Sequence, residues 1–207
     1  MLVHFFQFGL PMTIISPQQH AKYSSCYVDV DQSSSLSYRP AVASDAVFLT
    51  QLVNSAYRGD TSRQGWTTEA GLLDGPRIET KEVLELISAD DSVIFLCVQQ
   101  QQIIGCVHLQ KDGYAAYLGM FVVNPLLQGH GIGKQFMQAA ELHAQAQWGI
   151  NKMWMTVISV REELIAYYQR RGYVRTGRFK PFPKNNGKEK LLVEDLQFEE
   201  MEKTLHV

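Results

Sequence analysis

An apolar run, Tyr117-Leu118-Gly119-Met120-Phe121-Val122-Val123, meets Asn124-Pro125 and is soon followed by Gln128-Gly129-His130-Gly131-Ile132-Gly133-Lys134. The run is rich in the aromatic and β-branched residues of a strand, and the proline ends it. Ile132, Phe136, Met137, Ala140 and Ala144 then recur at helical spacing. An apolar strand thus turns through glycines into an amphipathic helix. It also aims a row of backbone N–H groups and the positive end of a helix at one spot, and such a spot binds phosphate. Taken alone, the loop is also compatible with a glycine-rich turn that binds nothing.

Two phosphate loops do not fit. The P-loop requires an earlier glycine at its head and a Ser or Thr after Gly-Lys; here those positions are Gln128 and Gln135. The dinucleotide fingerprint requires G-x-G-x-x-G and an acidic residue about 20 positions on; Asn151 and Lys152 stand there instead. What remains is Q-x-x-G-x-G after a V-x-P strand end.

A second segment adds to this. Met153 to Ile158 is β-prone, and Ser159 with Glu162 forms a capping-box pattern that predicts a helix through Arg171. Gly172 is its natural C-cap, and Tyr173-Val174 opens another strand. The segment therefore carries Tyr168-Gln169-Arg170-Arg171-Gly172-Tyr173. With both motifs in this order, the chain resembles the GNAT superfamily of N-acetyltransferases over roughly Ser37 to Met201.

The resemblance implies an α/β (α+β) fold with a mixed central sheet flanked by helices on both faces, in the order β-α-α-β-β-β-α-β-α-β-β. It implies acetyl-CoA as co-substrate, no metal, and direct transfer to a primary amine, first of all of a small molecule. Acetylation of a protein N-terminus or lysine is the alternative, as is a non-catalytic acyl-CoA sensor. By position, the backbone of Phe121, Val122 and Val123 would line the pantetheine arm and polarise the thioester carbonyl. Gln128, Gly129, His130, Gly131, Ile132, Gly133 and Lys134 would hold the pyrophosphate, with Gly131 and Gly133 allowing close backbone approach. Lys134 either adds an ammonium there or faces water, and His130 is an exposed loop residue. Tyr168 would protonate the departing thiolate, with Tyr167 its core-packing neighbour. Many relatives carry an asparagine where this chain has Arg161, so that contact does not carry over. Arg161 reaches a phosphate, the acceptor, or water.

The acceptor side reads less clearly. A loop from Arg58 to Ile78 holds Arg58, Asp60, Arg63, Trp66, Glu69, Asp74 and Arg77. Trp66 is a pocket wall or a lid on the core. Glu69 is a general base or a carboxylate at a helix start. The arginines bind an acceptor carboxylate or pair with Asp60, Glu69 and Asp74. A second loop, from Arg178 to Asn186, is expected to join the last two strands.

The remaining expectations are coarser. Strands are predicted over 37–42, 93–98, 103–109, 114–123 and 191–198, with turns in Gln99–Gln102 and at Lys111-Asp112-Gly113. Helices are predicted from Ser44 to Tyr57 and from about Thr80. The 207 residues divide into a loosely ordered extension, 1–36, and one domain, 37–207. Within the extension, Met1 to Ser16 lacks a basic leader and is broken by Pro11, and Gln18 to Ser35 reads as a linker. A net charge of −2 argues against a dedicated nucleic-acid binder. No run approaches the ~18 apolar residues of a membrane span, so a cytoplasmic enzyme is expected. Cys26, Cys97 and Cys106 lack metal-type spacing, and the last two read as inert core thiols. A homodimer is left open.

Overall fold

A computed structural model describes residues 35–183 and 190–206. The expected extension up to Ser34, Cys26, and Lys184 to Asn186 of the second loop lie outside these residues. In chain order the elements are β1 (Leu36–Pro40), α1 (Ala46–Tyr57), α2 (Gly59–Ser62), β2 (Leu73–Asp74), α3 (Thr80–Ser88), β3 (Ser92–Gln99), β4 (Gln102–Asp112), β5 (Ala115–Val123), α4 (Ile132–Trp148), β6 (Lys152–Ile158), α5 (Glu162–Gln169), β7 (Val174–Pro181), β8 (Lys190–Leu191) and β9 (Gln197–Thr204).

Seven strands form one mixed sheet in the order β1-β3-β4-β5-β6-β9-β7. Every neighbouring pair is antiparallel except β5–β6. The expected mixed sheet with helices on both faces is what the chain forms. On one face Phe136, Met137, Ala140 and Ala144 of α4 and Ile165 of α5 pack on Cys97, Val107, Leu109 and Met155. On the other, Leu49, Leu52 and Val53 of α1 and Val83 of α3 pack on Ile94, Leu96 and Cys106. Full burial of one such side chain contributes about 1.5–3 kcal/mol. Cys97 and Cys106 sit in these two cores, and burial pushes both thiols up to about 12.

The feature that makes a site is the parting of β5 from β6. They pair only from Ala115 to Tyr117 against Lys152 to Trp154. Beyond that, β5 bulges: His108 faces Gly119 and Cys106 faces Val122, so β5 holds one residue more, and Met120 takes φ 49°. The bulge reverses the parity of the strand. Ala116 and Leu118 face the α4 core, Met120 and Val122 the α1 core, and Phe121 and Val123 return to the α4 side.

Several local expectations change. Ser159 does not cap α5: its N–H bonds Gln197 O at 2.8 Å, and the helix starts at Glu162 with Arg161 at the N-cap. The loop after Arg58 contains the short helix α2 and the two-residue strand β2. Leu191 belongs to the β2–β8 ladder rather than to the last long strand, which begins at Gln197. That strand, Gln-Phe-Glu-Glu-Met-Glu-Lys-Thr, hides its signal because charged pairs support it: Arg175 bonds buried Glu199 at 2.6 Å, and Arg178 pairs with Glu200. Arg178 to Pro181, expected in the second loop, are strand β7, and Phe182 is core beside Leu73 and Leu196. β4 runs on to Asp112, so its turn is Gly113-Tyr114 and begins two residues later than expected. α5 ends at Gln169 with Arg170 at the C-cap, two residues short of the expected Arg171, and Gly172, φ 89°, closes the turn that follows, with Gly172 N–H on Gln169 O at 3.0 Å and Tyr173 N–H on Tyr168 O at 3.2 Å. Among the described residues no helix is long and apolar enough to cross a membrane.

Candidate active site

β5 ends at Val123, and Asn124 Oδ1 accepts from Leu126 N at 3.1 Å, closing one tight turn over Pro125–Leu127. Gly129 and Gly131 follow with φ of 88° and 81°, and Gly131 is the N-cap of α4. An added Cβ at Gly131 meets nothing within 4 Å, so this glycine is required by its backbone angle and not by crowding within the chain. Gly133 differs: it lies inside α4, and a Cβ there would come within 2.6 Å of Tyr167 Oη. Its bareness lets the Tyr167 ring approach the helix. The Lys134 N–H, expected to face phosphate, bonds Gly131 O at 3.1 Å, whereas Ile132 and Gly133 occupy first-turn positions whose N–H groups have no intrahelical acceptor.

The loop forms one wall of a cleft of about 370 Å³. Phe121, Val123, Gln128, Gly129, Gly131, Gly133 and Lys134 line it, as do Trp66 and Tyr168. The remaining expected residues stand elsewhere. Val122 is buried against α1, and Ile132 is buried in the α4 core, because alternate residues of a strand and successive residues of a helix point apart. His130 is exposed. Sequence reading missed Tyr167, Arg170 and Arg171, which line the same cleft. The signal was their place in the last turn before Gly172. The Arg171 guanidinium lies 3.2 Å from the Tyr167 ring centroid and donates to Tyr167 O at 2.6 Å.

A smaller inner pocket of about 80 Å³ opens where β5 and β6 part. Glu69, Arg77, Tyr117, Arg161 and Phe198 border it, together with Tyr57, Phe121, Leu164 and Tyr168, which also border the cleft. Arg58 lines neither; it is buried and paired with Glu69. Glu69 stands between α2 and β2 rather than at a helix start, and Arg58 is paired with it. Tyr168 is 6% exposed, and burial pushes its phenol well above the usual tyrosine range, with Tyr57 adding to the effect and the Arg161 guanidinium opposing it. Burial raises Tyr57 too, and nearby Glu69 adds to the shift. Both are neutral proton-bearing groups at any working pH.

Arg161 is buried rather than facing water, and it borders the inner pocket. It donates to Thr67 O at 3.0 Å, Trp66 O at 3.2 Å and Glu163 Oε1 at 3.0 Å. Gln128 holds the same segment from the other side. Its Oε1 accepts from Trp66 N, and its Nε2 donates to Thr67 Oγ1 and Val123 O, each at 3.0 Å. Its amide is thus committed to the protein. Trp66, 40% exposed, lies over Tyr167 with ring centroids 5.1 Å apart and lines the cleft rather than the inner pocket.

A family model described as the acetyltransferase (GNAT) family matches residues 53–173. No curated protein matches the sequence. The chain is similar in fold to the spermidine N-acetyltransferase from Vibrio cholerae in complex with CoA and spermine, with TM-score 0.60, 19% identity, and 82% of this chain and 95% of that one covered. For the ribosomal-protein-S18-alanine N-acetyltransferase from Escherichia coli the TM-score is 0.61 at 13% identity, covering 84% and 96%. For the IAA acetyltransferase from Bacillus cereus it is 0.55 at 15% identity, covering 83% and 100%.

Proposed function

The chain belongs to the acetyltransferase (GNAT) family, and from that premise we propose that it transfers the acetyl group of acetyl-CoA directly to the primary amine of a small molecule. The observation that carries this reading is the junction at Tyr168, which borders both the glycine-lined cleft and the inner pocket. Donor and acceptor entering from the two sides meet there. Acetyl-CoA, the family's co-substrate, supplies an acetyl thioester. The cleft suits it: the start of a 17-residue helix, two left-handed glycines and the side chains of Lys134, Arg170 and Arg171 face one space. The backbone of Phe121 and Val123 borders the path between phosphate and junction.

The amine reaches the junction through the inner pocket as the neutral form, since only that form has a lone pair. A nitrogen–carbon bond forms as the carbon–sulfur bond breaks. Tyr168 gives its hydroxyl proton to the sulfur and takes up the proton that nitrogen loses, so it ends neutral. Burial opposes a free tyrosinate, so the two proton movements are concerted. The small inner pocket supports a slender acceptor end, and the spermidine N-acetyltransferase among similar structures supports a small-molecule amine.

The test is thiol release from acetyl-CoA with propylamine, spermidine, a peptide with a free N-terminal alanine, and a peptide with an internal lysine. Turnover is expected with a small amine. Turnover with peptides alone would overturn the small-molecule reading. Acetyl-CoA binding without any thiol release would favour a sensor.

A further inference from the structure

Four residues border both spaces: Tyr57, Phe121, Leu164 and Tyr168. Two of them carry hydroxyls, and the proposed mechanism uses only Tyr168. Tyr57 Oη donates to Phe121 O at 3.1 Å. That carbonyl lies within the β5 bulge, between the register pairs Gly119–His108 and Val122–Cys106, and beyond the last pairing of β5 with β6. Phe121 has no register partner on either β4 or β6, and Tyr57 bonds its carbonyl. A phenol has one proton and two lone pairs. With the proton committed to Phe121 O, Tyr57 Oη offers only lone pairs to the junction. Such an oxygen accepts from an N–H and gains nothing from a thioester carbonyl.

We propose that Tyr57 is the acceptor-binding residue of the junction: its hydroxyl oxygen accepts an N–H of the incoming amine and turns the nitrogen lone pair towards the acetyl carbon. This rests on the acetyltransferase reading above. Tyr57 takes no proton from the amine; it fixes the direction from which the nitrogen approaches. Its placement is over-determined by the fold. Tyr57 O accepts from Glu69 N at 3.0 Å, and the Arg77 guanidinium lies 5.8 Å from the centroid of its ring. Both neighbours border the same inner pocket.

Tyr57→Phe tests this, with propylamine and spermidine as the amine probes and thiol release as the readout. One neutral hydrogen bond corresponds to about a 3- to 10-fold change. The amine KM is expected to rise by about that factor and kcat to fall by no more than the same factor, while the acetyl-CoA KM stays within twofold. If the amine KM is unchanged, or if both KM values rise together, Tyr57 is only a prop for the Phe121 carbonyl and the proposal falls. Should the phenylalanine variant not fold, 3-fluorotyrosine at position 57 keeps the donor and weakens the acceptor oxygen; a smaller rise confined to the amine KM supports the proposal, and no rise overturns it. A wild type that binds acetyl-CoA and releases no thiol with any amine in the panel instead removes the acetyltransferase reading itself.

Discussion

The glycine-loop wall of the cleft and the Trp66 wall opposite it are made in different ways. The first is one contiguous stretch, Val123 to Lys134, shaped by two left-handed glycines and the start of α4. Its working groups are backbone N–H groups, so its form depends on torsion angles set within the loop. The second wall is a segment held by side chains from distant elements. Gln128 and Arg161 grip Trp66 and Thr67, while Asn54 holds the far end, accepting from Arg77 N at 2.7 Å and donating to Ile78 O at 2.9 Å. Arg58 and Glu69 pair inside it. A wall built of backbone tolerates side-chain change except at its glycines. A wall built of buckles fails wherever a buckle is cut.

The largest effect should come from the backbone wall. Gly131→Glu forces a side chain onto a left-handed residue and sets a carboxylate at the start of α4, where phosphate would lie. Wild type should gain thermal stability with acetyl-CoA by mass action, and this variant should show no such gain. Retained affinity would break the assignment of this wall to the donor.

Where the cleft meets the inner pocket, Tyr168→Phe keeps the ring and removes the proton. General acid catalysis is worth about 10²–10⁴-fold, and kcat should fall by that order with acetyl-CoA affinity little changed. An acyl donor with a more acidic thiol should lose less. A variant within twofold of wild type would mean that another group protonates the sulfur.

On the buckled wall, Arg161→Met leaves two loop carbonyls without their buried donor. Unmet polar groups cost about 1–3 kcal/mol, and a urea titration should show a loss of about 2 kcal/mol with unchanged slope. Because Trp66 lines the cleft and Arg161 itself borders the inner pocket, acetyl-CoA and amine KM values should both rise while kcat stays within a few-fold. Unchanged stability would show that the segment stands without its buckle.

At neutral pH the smallest effect belongs to neither wall. His108 on β4 meets Ser92 Oγ at 3.0 Å, and burial lowers its pKa to about 4. An unfolded histidine titrates near 6.5, so between about pH 6.5 and 4 the unfolded chain takes up a proton that the folded chain refuses. Stability is therefore unaffected above that window and falls on acidification through it, by at most about 1.4 kcal/mol per pH unit. His108→Gln should flatten this acid slope and leave both KM values at neutral pH unchanged. An unaltered slope would place the acid sensitivity elsewhere.

The two walls also differed in how far they could be read. Gln128 to Lys134 and Tyr168 to Tyr173 carry short-range patterns, and the structure lines one cleft with both. Within them, side-chain direction was the part not visible: Val122 and Ile132 point into opposite cores, and the Lys134 N–H is already used. Arg161 was noticed only as a departure from a family pattern. Nothing in its neighbours says that it ends against Trp66 and Thr67, more than ninety positions away. The strand Gln197–Thr204 was misplaced because its burial rests on Arg175 and Arg178 across the ladder, not on an apolar alternation.

By itself the sequence determined what torsion angles and periodicity govern: a strand, a glycine turn, a helix start and a tyrosine shortly before the helix-ending Gly172; the mixed sheet followed from the resemblance those motifs carry. Only the tertiary structure decided where β5 parts from β6, which hydroxyl takes the Phe121 carbonyl left there, and which side chains buckle the Trp66 segment. Local geometry is encoded by neighbours in the chain, whereas a hydrogen bond between residues sixty or ninety positions apart depends on how every intervening element packs.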